Sequence, residues 1–317
     1  MMDADEPAVV AVLMALWRQR AMSIDALAEA AGINQRQARA AVESLEKRCG
    51  LERSPGGVEL VASGLGIWRD VLEQTAAEQE RRLGRQVRVY QSTASTNDAC
   101  WAAAGQHRME GLVVLADEQT AGRGRRGNAW MARAGQSVLM SVLLGPMDLP
   151  AETLTLLAGL ATAEGIEETT GRECEIKWPN DILIGGKKIA GILVERRDGA
   201  AVIGVGINAA QHVEDFPEHL RHRAGSLWMA CGRRVDRLEV IQRVLVRLEE
   251  RIFSQTPWLD DWKRRCGMLG TDIELRTGGV LLCGRVVDVD PAHGLALRDA
   301  HGVTHWCSAM TSTIGGA

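Results

Sequence analysis

No nucleotide-binding P-loop, no H-E-x-x-H zinc motif, no C-x-x-C pair and no internal repeat occurs in this chain of 317 residues. Without a P-loop, any nucleotide must be held by arginines, lysines and turns. The histidines (His107, His212, His219, His222, His293, His301 and His305) match no metal-site spacing, and no nucleophile groups with a base and an acid. Hydrolase and metalloenzyme chemistry therefore have no support. The seven cysteines, Cys49, Cys100, Cys174, Cys231, Cys266, Cys283 and Cys307, are odd in number and widely spaced. They read as reduced, mostly buried thiols of a cytoplasmic protein rather than a disulfide framework. Long apolar runs are missing too. Val9–Trp17 follows Asp3, Asp5 and Glu6 rather than a basic leader, and it falls well short of the ~20 residues that span a bilayer. Neither a secretory signal nor a membrane partner is expected. Aromatics are scarce, at nine Trp, two Phe and one Tyr, so each Trp marks a position to place. The net charge of −4 gives no global field for nucleic acid, and any DNA contact has to come from a local patch.

What is present is an ordinary soluble composition, 46% apolar and 25% charged, with length for two or three domains. Residues 1–62 carry three helical patterns and a hairpin. The first covers Ala8–Arg18. Ser23 caps the second, Ile24–Ala31, and Gly32 turns the chain. Asn34 caps the third, Gln35–Lys47, whose Ala38, Ala41, Val42 and Leu45 share a face. Ser54-Pro55-Gly56-Gly57 then turns between short strands within Leu51–Leu60. This is the pattern of a winged helix-turn-helix. Gln35, Arg36, Gln37 and Arg39 at the start of the third helix are of types that read base edges and phosphates. Residues 1–60 nevertheless hold seven Lys/Arg against nine Asp/Glu, a net of −2. The other reading is a helical module that docks on the rest of the protein.

Ile67–Arg82 reads as a polar helix without a broad apolar stripe, and residues 63–86 are expected to form a linker helix. From 87 to 268 strands and helices alternate. Strands are expected at Gln86–Gln91, Gly111–Ala116, Val138–Leu144, Glu175–Trp178, Ile182–Ile184, Ile189–Glu195 and Ala201–Ile207. Helices are expected at Asn97–Ala104, Thr153–Thr169 and Arg237–Phe253. That mixture predicts an α+β (α/β mixed-sheet) domain. Residues 269–317 change character again. Short strands at Asp272–Arg276, Leu281–Asp288, Leu295–Arg298 and Val303–Cys307, separated by glycine turns, predict a small C-terminal β-barrel.

The most informative stretch runs Ala-Asp-Glu-Gln-Thr-Ala-Gly-Arg-Gly-Arg-Arg-Gly-Asn-Ala-Trp over residues 116–130. Glycine lets backbone amides approach a ligand closely, and arginine supplies fork-shaped donors for phosphate and carboxylate oxygens. A cationic loop closed by Trp130 suits a flap over a small anion. Gly122, Gly124 and Gly127 also fit G-x-G-x-x-G. The crossover helix that this fingerprint requires does not fit between Asn128 and Gln136, and Asp148 alone does not make a dinucleotide site.

Further segments point to the same chemistry. Ser95-Thr96-Asn97 could cap a helix or hold a polar, uncharged ligand edge. Lys177-Trp178-Pro179-Asn180-Asp181 sets an ammonium beside an amide and a carboxylate. It reads either as a turn with an ion pair or as a point charge for a carboxylate and a phosphate that must react together. Lys188–Glu195 enters a buried strand from a lysine. Ile203–Asn208 holds Gly204 and Gly206, either for tight packing or as a slot for a flat ring with Asn208 at its mouth.

In this order these five motifs resemble those of biotin protein ligases. The whole layout resembles the bifunctional members, which are also biotin operon repressors. The resemblance implies two steps. Biotin carboxylate attacks the α-phosphate of ATP to give biotinyl-5′-adenylate and pyrophosphate. A lysine of a biotin carboxyl carrier domain, that of acetyl-CoA carboxylase, then attacks the mixed anhydride. It implies Mg²⁺ accompanying ATP, with ligands that the motifs do not supply. By motif matching, Ser95, Thr96, Asn97 and Gln119 hold biotin together with Gly204. Arg123, Gly124, Arg125 and Arg126 fold over the acyl phosphate, and Trp130 covers the ligand. Lys177, with Arg123 and Arg125, is catalytic. Arg126, Asn180, Gly206 and Asn208 lie at the adenylate. Residues 1–62 would bind operator DNA through Gln35, Arg36, Gln37 and Arg39, and the chain would form a homodimer. Two alternatives remain: a lipoate-type ligase, and a biotin-sensing DNA-binding repressor without ligase activity.

Overall fold

The computed structural model describes residues 6–104, 110–254, 256–309 and 311–314. Asp3, Asp5 and His107 lie outside these residues.

The chain opens with α1 (Glu6–Gln19), β1 (Ala21–Met22), α2 (Ile24–Ala31), α3 (Gln35–Leu45), β2 (Gly50–Ser54) and β3 (Gly57–Ala62). Local chemistry sets these boundaries. The Ser23 hydroxyl accepts the Ala26 amide at 3.1 Å, and Gly32 ends α2 at φ 64°. Asn34 and Gln37 close a capping box at the start of α3. Ala38, Ala41, Val42 and Leu45 are buried as the periodicity requires. The strands pair in the order β1-β3-β2. Two-residue β1 was not expected, being too short to leave a period in the sequence.

Helix α4 (Leu65–Glu78) corrects the expected linker. It buries Ile67, Trp68, Val71, Leu72, Thr75 and Ala76, with Trp68 fully inaccessible. These positions recur as adjacent pairs four residues apart, which makes a helical stripe that the flanking Glu, Gln and Arg obscure. The helix packs on α1 and on the first strand of the next sheet, so it joins two units through a shared core.

The central unit comprises β4 (Val87–Thr93), α5 (Thr96–Ala104), β5 (Val113–Gln119), β6 (Ser137–Leu144), α6 (Ala151–Thr170), β7 (Glu175–Lys177), β8 (Asp181–Ile184), β9 (Lys187–Arg197), β10 (Ala200–Asn208), α7 (Leu227–Cys231), α8 (Arg237–Phe253) and α9 (Leu259–Arg265). Its seven strands run β4-β5-β6-β10-β9-β8-β7. Only β4 and β5 are parallel, so the sheet is mixed, as expected. Central β6 is buried at every position, which accounts for an apolar run interrupted only by Ser141. Helices α6 and α8 cover one face. On the other, Cys100 and Ala103 of α5 meet Leu112, Val114, Leu143 and Val202. Alternate residues of β5 thus face different layers.

The chain closes with β11 (Asp272–Thr277), β12 (Val280–Asp290), β13 (Gly294–Arg298), β14 (Thr304–Cys307) and β15 (Ser312–Ile314). They form an antiparallel sheet ordered β14-β13-β12-β11-β15. No ladder joins β14 to β15 among the described residues, so the expected barrel is an open sheet. Its Leu275, Val286, Val289, Leu295 and Leu297 belong to the same apolar cluster as the central unit.

All seven cysteines are free, and most are buried. Burial pushes the Cys49 thiol up to about 11 and Cys100 up to about 12, which makes them poor nucleophiles. Among the described residues no helix is long and apolar enough to cross a membrane.

Candidate active site

A cavity of about 250 Å³ opens where the start of α5, the end of β5, the 122–130 loop, the β7–β8 turn and strands β9, β10 and β15 converge. It gathers thirteen of the candidate site residues: Ser95, Thr96, Asn97, Gln119, Arg123, Gly124, Arg125, Arg126, Trp130, Lys177, Asn180, Gly204 and Gly206.

One wall is neutral and polar. Ser95, Thr96 and Asn97 are buried at the first turn of α5. The Gln119 side-chain oxygen accepts the Thr96 amide at 2.7 Å and the Thr96 hydroxyl at 3.0 Å. The hydroxyl of buried Ser141, on β6, lies 2.7 Å from that of Thr96 and 2.6 Å from the Asn97 side-chain oxygen. These contacts fix the orientation of Thr96 and Gln119 and leave donors unspent. The Asn97 amide nitrogen is buried and has no partner among the described residues. Ser141 carries no motif of its own, and only the sheet brings it here.

The opposite wall is bare backbone. Gly191 of β9 and Gly206 of β10 are direct cross-strand partners, and the Trp130 indole lies on both. A Cβ at Gly206 would come within 2.6 Å of the ring, and one at Gly191 within 3.2 Å. The flat ring in the expected glycine slot is therefore the protein's own tryptophan. At Gly204 a Cβ would meet the Asn97 side-chain oxygen at 2.4 Å, so this glycine makes room for the polar wall.

The loop itself is a short hairpin. Gly124 donates to the Asn128 carbonyl at 2.7 Å and Trp130 to the Gly122 carbonyl at 2.9 Å. A 3₁₀ turn spans Arg125–Gly127, with no crossover helix following. Arg125 is partly buried. Its guanidinium donates to the Asn180 side-chain oxygen at 3.3 Å and to the Ala309 carbonyl. Burial, with Arg126 beside it, shifts its pKa below the usual arginine value. Asn180 is held in turn, its amide donating to the Ile192 carbonyl at 2.9 Å.

Five cationic side chains line the cavity against one carboxylate, Asp181. They are not equivalent. Lys188 lies 2.7 Å from Asp181 and sits over the Trp130 ring at 5.6 Å. Arg123 is paired outside the cavity, with Asp98. Lys177 and Arg126 have no acidic partner among the described residues. The end of β7 places Lys177 opposite Asp181 in register, but that carboxylate is taken by Lys188, so the Lys177 ammonium lines the cavity without an ion pair among the described residues. Among the described residues no group of three His, Cys, Asp or Glu could hold a metal ion.

Two expectations need correction. Asn208 does not line the cavity. It is buried, donates to the Gly225 carbonyl at 2.9 Å, and accepts from Gln211 at 3.3 Å, so it ties down the loop after β10. Gln37 is not wholly free to read bases, because its side-chain oxygen accepts the Asn34 amide at 3.1 Å within the capping box, which leaves the NH2 group of this exposed side chain. Gln35, Arg36 and Arg39 remain exposed on one face of α3, beside Glu43. Sequence reasoning gave no role to Asp98, which adjoins the 95–97 segment, or to Glu195 at the end of the 188–195 segment. It also missed Ser141 and the C-terminal contribution of Ala309, Ser312 and Ile314, which reach the site through long-range packing.

Residues 89–210 match the model of the biotin/lipoate A/B protein ligase family. The chain is 38% identical over 240 residues to the bifunctional ligase/repressor BirA of Bacillus subtilis, covering 72% of this chain and 74% of that protein. It is 35% identical over 225 residues to the biotin–[acetyl-CoA-carboxylase] ligase of Mycobacterium tuberculosis, covering 67% and 83%. Among solved structures, the biotin protein ligase of Aquifex aeolicus in complex with biotin and ATP is similar with a TM-score of 0.65 at 27% identity. That match covers 73% of this chain and 98% of that one.

Proposed function

Since the chain belongs to the biotin protein ligase family, we infer that it is an ATP-dependent biotin protein ligase. The observation that carries this reading is the division of the cavity. Neutral donors at Ser95, Asn97 and Gln119, unspent among the described residues, stand at one wall, and the Lys177 ammonium, which makes no ion pair among them, stands at another. A ureido ring is neutral and rich in hydrogen-bonding groups, whereas a carboxylate and a triphosphate are anionic. One pocket with both characters suits a ligand that is neutral at one end and negative where it reacts.

In the first step a biotin carboxylate oxygen attacks the α-phosphorus of ATP. The bond to the β-phosphate oxygen breaks, and pyrophosphate leaves. Two anions must approach, and Lys177 would neutralise the charge that builds between them. Such a preorganised donor is typically worth about 3 kcal/mol. In the second step the amine of an acceptor lysine attacks the acyl carbon. AMP departs, an amide forms and a proton is released. The Gly122–Trp130 flap would exclude water from the mixed anhydride between the steps. Mg²⁺ would supply charge neutralisation to the triphosphate. It would be held mainly by phosphate oxygens and water, with Asp181 as the one lining carboxylate.

The acceptor is the biotin carrier domain of acetyl-CoA carboxylase, the substrate named for the Mycobacterium tuberculosis relative. A repressor role accompanies ligation, supported by the likeness to a bifunctional ligase/repressor. Residues 6–62 would act as a winged helix-turn-helix, with exposed Arg36 and Arg39 of α3 facing DNA. Incubating a purified carrier domain with the protein, biotin and MgATP tests the ligase reading. One biotinyl group on one lysine is the expected product, and lipoate in place of biotin should give none.

A further inference from the structure

Asp98 follows directly on the Ser95–Asn97 wall, still in the first turn of α5. Its carboxylate accepts two hydrogen bonds from the Arg123 guanidinium, at 2.7 and 2.6 Å. Glu195 of β9 stands 3.6 Å from the same guanidinium. The other Glu195 oxygen accepts the Trp101 indole N–H at 2.9 Å, and the Arg197 guanidinium covers that ring at 4.8 Å. Both carboxylates are thus borne by elements anchored in the core. Arg123 is borne by a glycine-rich hairpin with few anchors of its own. Fork-to-fork pairing of this kind fixes orientation as well as charge. A guanidinium balanced by two carboxylates also adds less field to the cavity than Lys177, which makes no ion pair among the described residues.

We propose that Asp98 and Glu195 are positioning residues that clasp Arg123 and hold the flap shut, so that they govern how long an enclosed adenylate is retained more than how fast it forms. The identity of the enclosed molecule rests on the ligase reading; the clasp does not. Arg123 and Asp98 side chains are 40% and 45% exposed, so solvent screening limits the effect to about fivefold.

The test uses the full chain with Asp98→Ala, Asp98→Glu, Glu195→Gln, Arg123→Gln and the double variant Asp98→Ala/Arg123→Gln. Amide hydrogen exchange is read in the ligand-free protein at Gly124 and Trp130, whose N–H groups close the hairpin. Asp98→Ala should speed exchange about fivefold and Glu195→Gln by less. Asp98→Glu should restore slow exchange, and Asp98→Ala should add nothing once Arg123 is gone. With biotin and MgATP, the adenylate dissociation rate should rise by a similar factor, by more than first-turnover pyrophosphate release falls. Unaltered exchange in Asp98→Ala overturns the clasp. Faster exchange with undiminished adenylate retention overturns its role in retention. Faster exchange in a protein whose parent form makes no adenylate supports the clasp and overturns the ligase reading instead.

Discussion

The Trp130 indole rests on Gly206, where even a methyl group would sit 2.6 Å from ring carbon Cε2. The atoms it would meet belong to the rigid indole ring rather than to the far end of a flexible side chain. Gly206→Ala should therefore push the indole off the β9–β10 surface and unseat the flap. Overpacking of this kind costs about 1–3 kcal/mol, so the KM for ATP should rise at least about fivefold. Adding Trp130→Ala should cause little further loss, because the clashing partner is gone. Fully additive effects in steady-state kinetics would contradict this.

Lys177→Ala should lower the first-turnover rate of pyrophosphate release by about 10²- to 10³-fold, with the thermal midpoint kept within a few degrees. The ammonium makes no ion pair among the described residues, so its removal leaves no buried charge unpaired. Rapid-quench measurement with labelled ATP checks the rate, and calorimetry checks the fold.

Arg125 joins three parts of the site: the flap, Asn180 of the β7–β8 turn and the Ala309 carbonyl of the C-terminal unit. Arg125→Gly removes both contacts and should let adenylate escape. The expected readout is a several-fold rise in biotinylation of an added free-amine peptide relative to the carrier domain. An unchanged ratio would show that Arg125 does not retain the intermediate.

The Arg123 guanidinium holds the Asp98 carboxyl below its ordinary value of 3.8. A depressed carboxyl contributes fully above its unfolded pKa, and the contribution is lost only as pH falls through the lower folded value. The flap should therefore be as tight at pH 5 as at pH 7, once exchange rates are corrected for intrinsic pH dependence. Loosening between those values would assign the clasp to a group titrating there.

Much of the fold was legible because its signals are local. Ser23 and Gly32 bound α2, and the 3.6-residue period of Leu238, Ile241, Leu245, Leu248 and Ile252 gives α8. The apolar run Val138–Leu144, interrupted only by Ser141, marks a strand buried on both faces. The cavity was legible where its residues fall in compact motifs such as 122–130 and 177–181. Ser141 and Ala309 were not, since each reaches the site only through sheet register or contact between units. Asn208 misled for the same reason. An amide at a strand end suits a ligand or a loop equally well, and Gly225, 17 residues on, decides between them.

Docking of the N-terminal unit was one of two readings of its sequence, but the contacts that make it were not legible there. The Trp17 indole donates to Gln242 at 3.2 Å, and Arg20 stands 3.4 Å from Asp236. The Arg237 guanidinium pairs with Asp117 at 2.7 Å and covers the Trp68 ring at 4.9 Å. Trp68→Ala should accordingly cost about 3–5 kcal/mol and destabilise the catalytic unit along with the N-terminal one. Two separate calorimetric transitions, with only the first shifted, would show instead that the units unfold independently. Arg36→Ala/Arg39→Ala should leave stability alone and weaken DNA binding. The slope of log affinity against log salt should become shallower by up to about 2.

The most direct test is mass spectrometry of a purified carrier domain after incubation with biotin, MgATP and either the parent protein or Lys177→Ala. The parent should add one biotinyl group to a single lysine within minutes, while Lys177→Ala leaves the carrier almost unmodified over the same interval. An unmodified carrier with the parent protein, or equal modification by both, would contradict the assignment of this cavity.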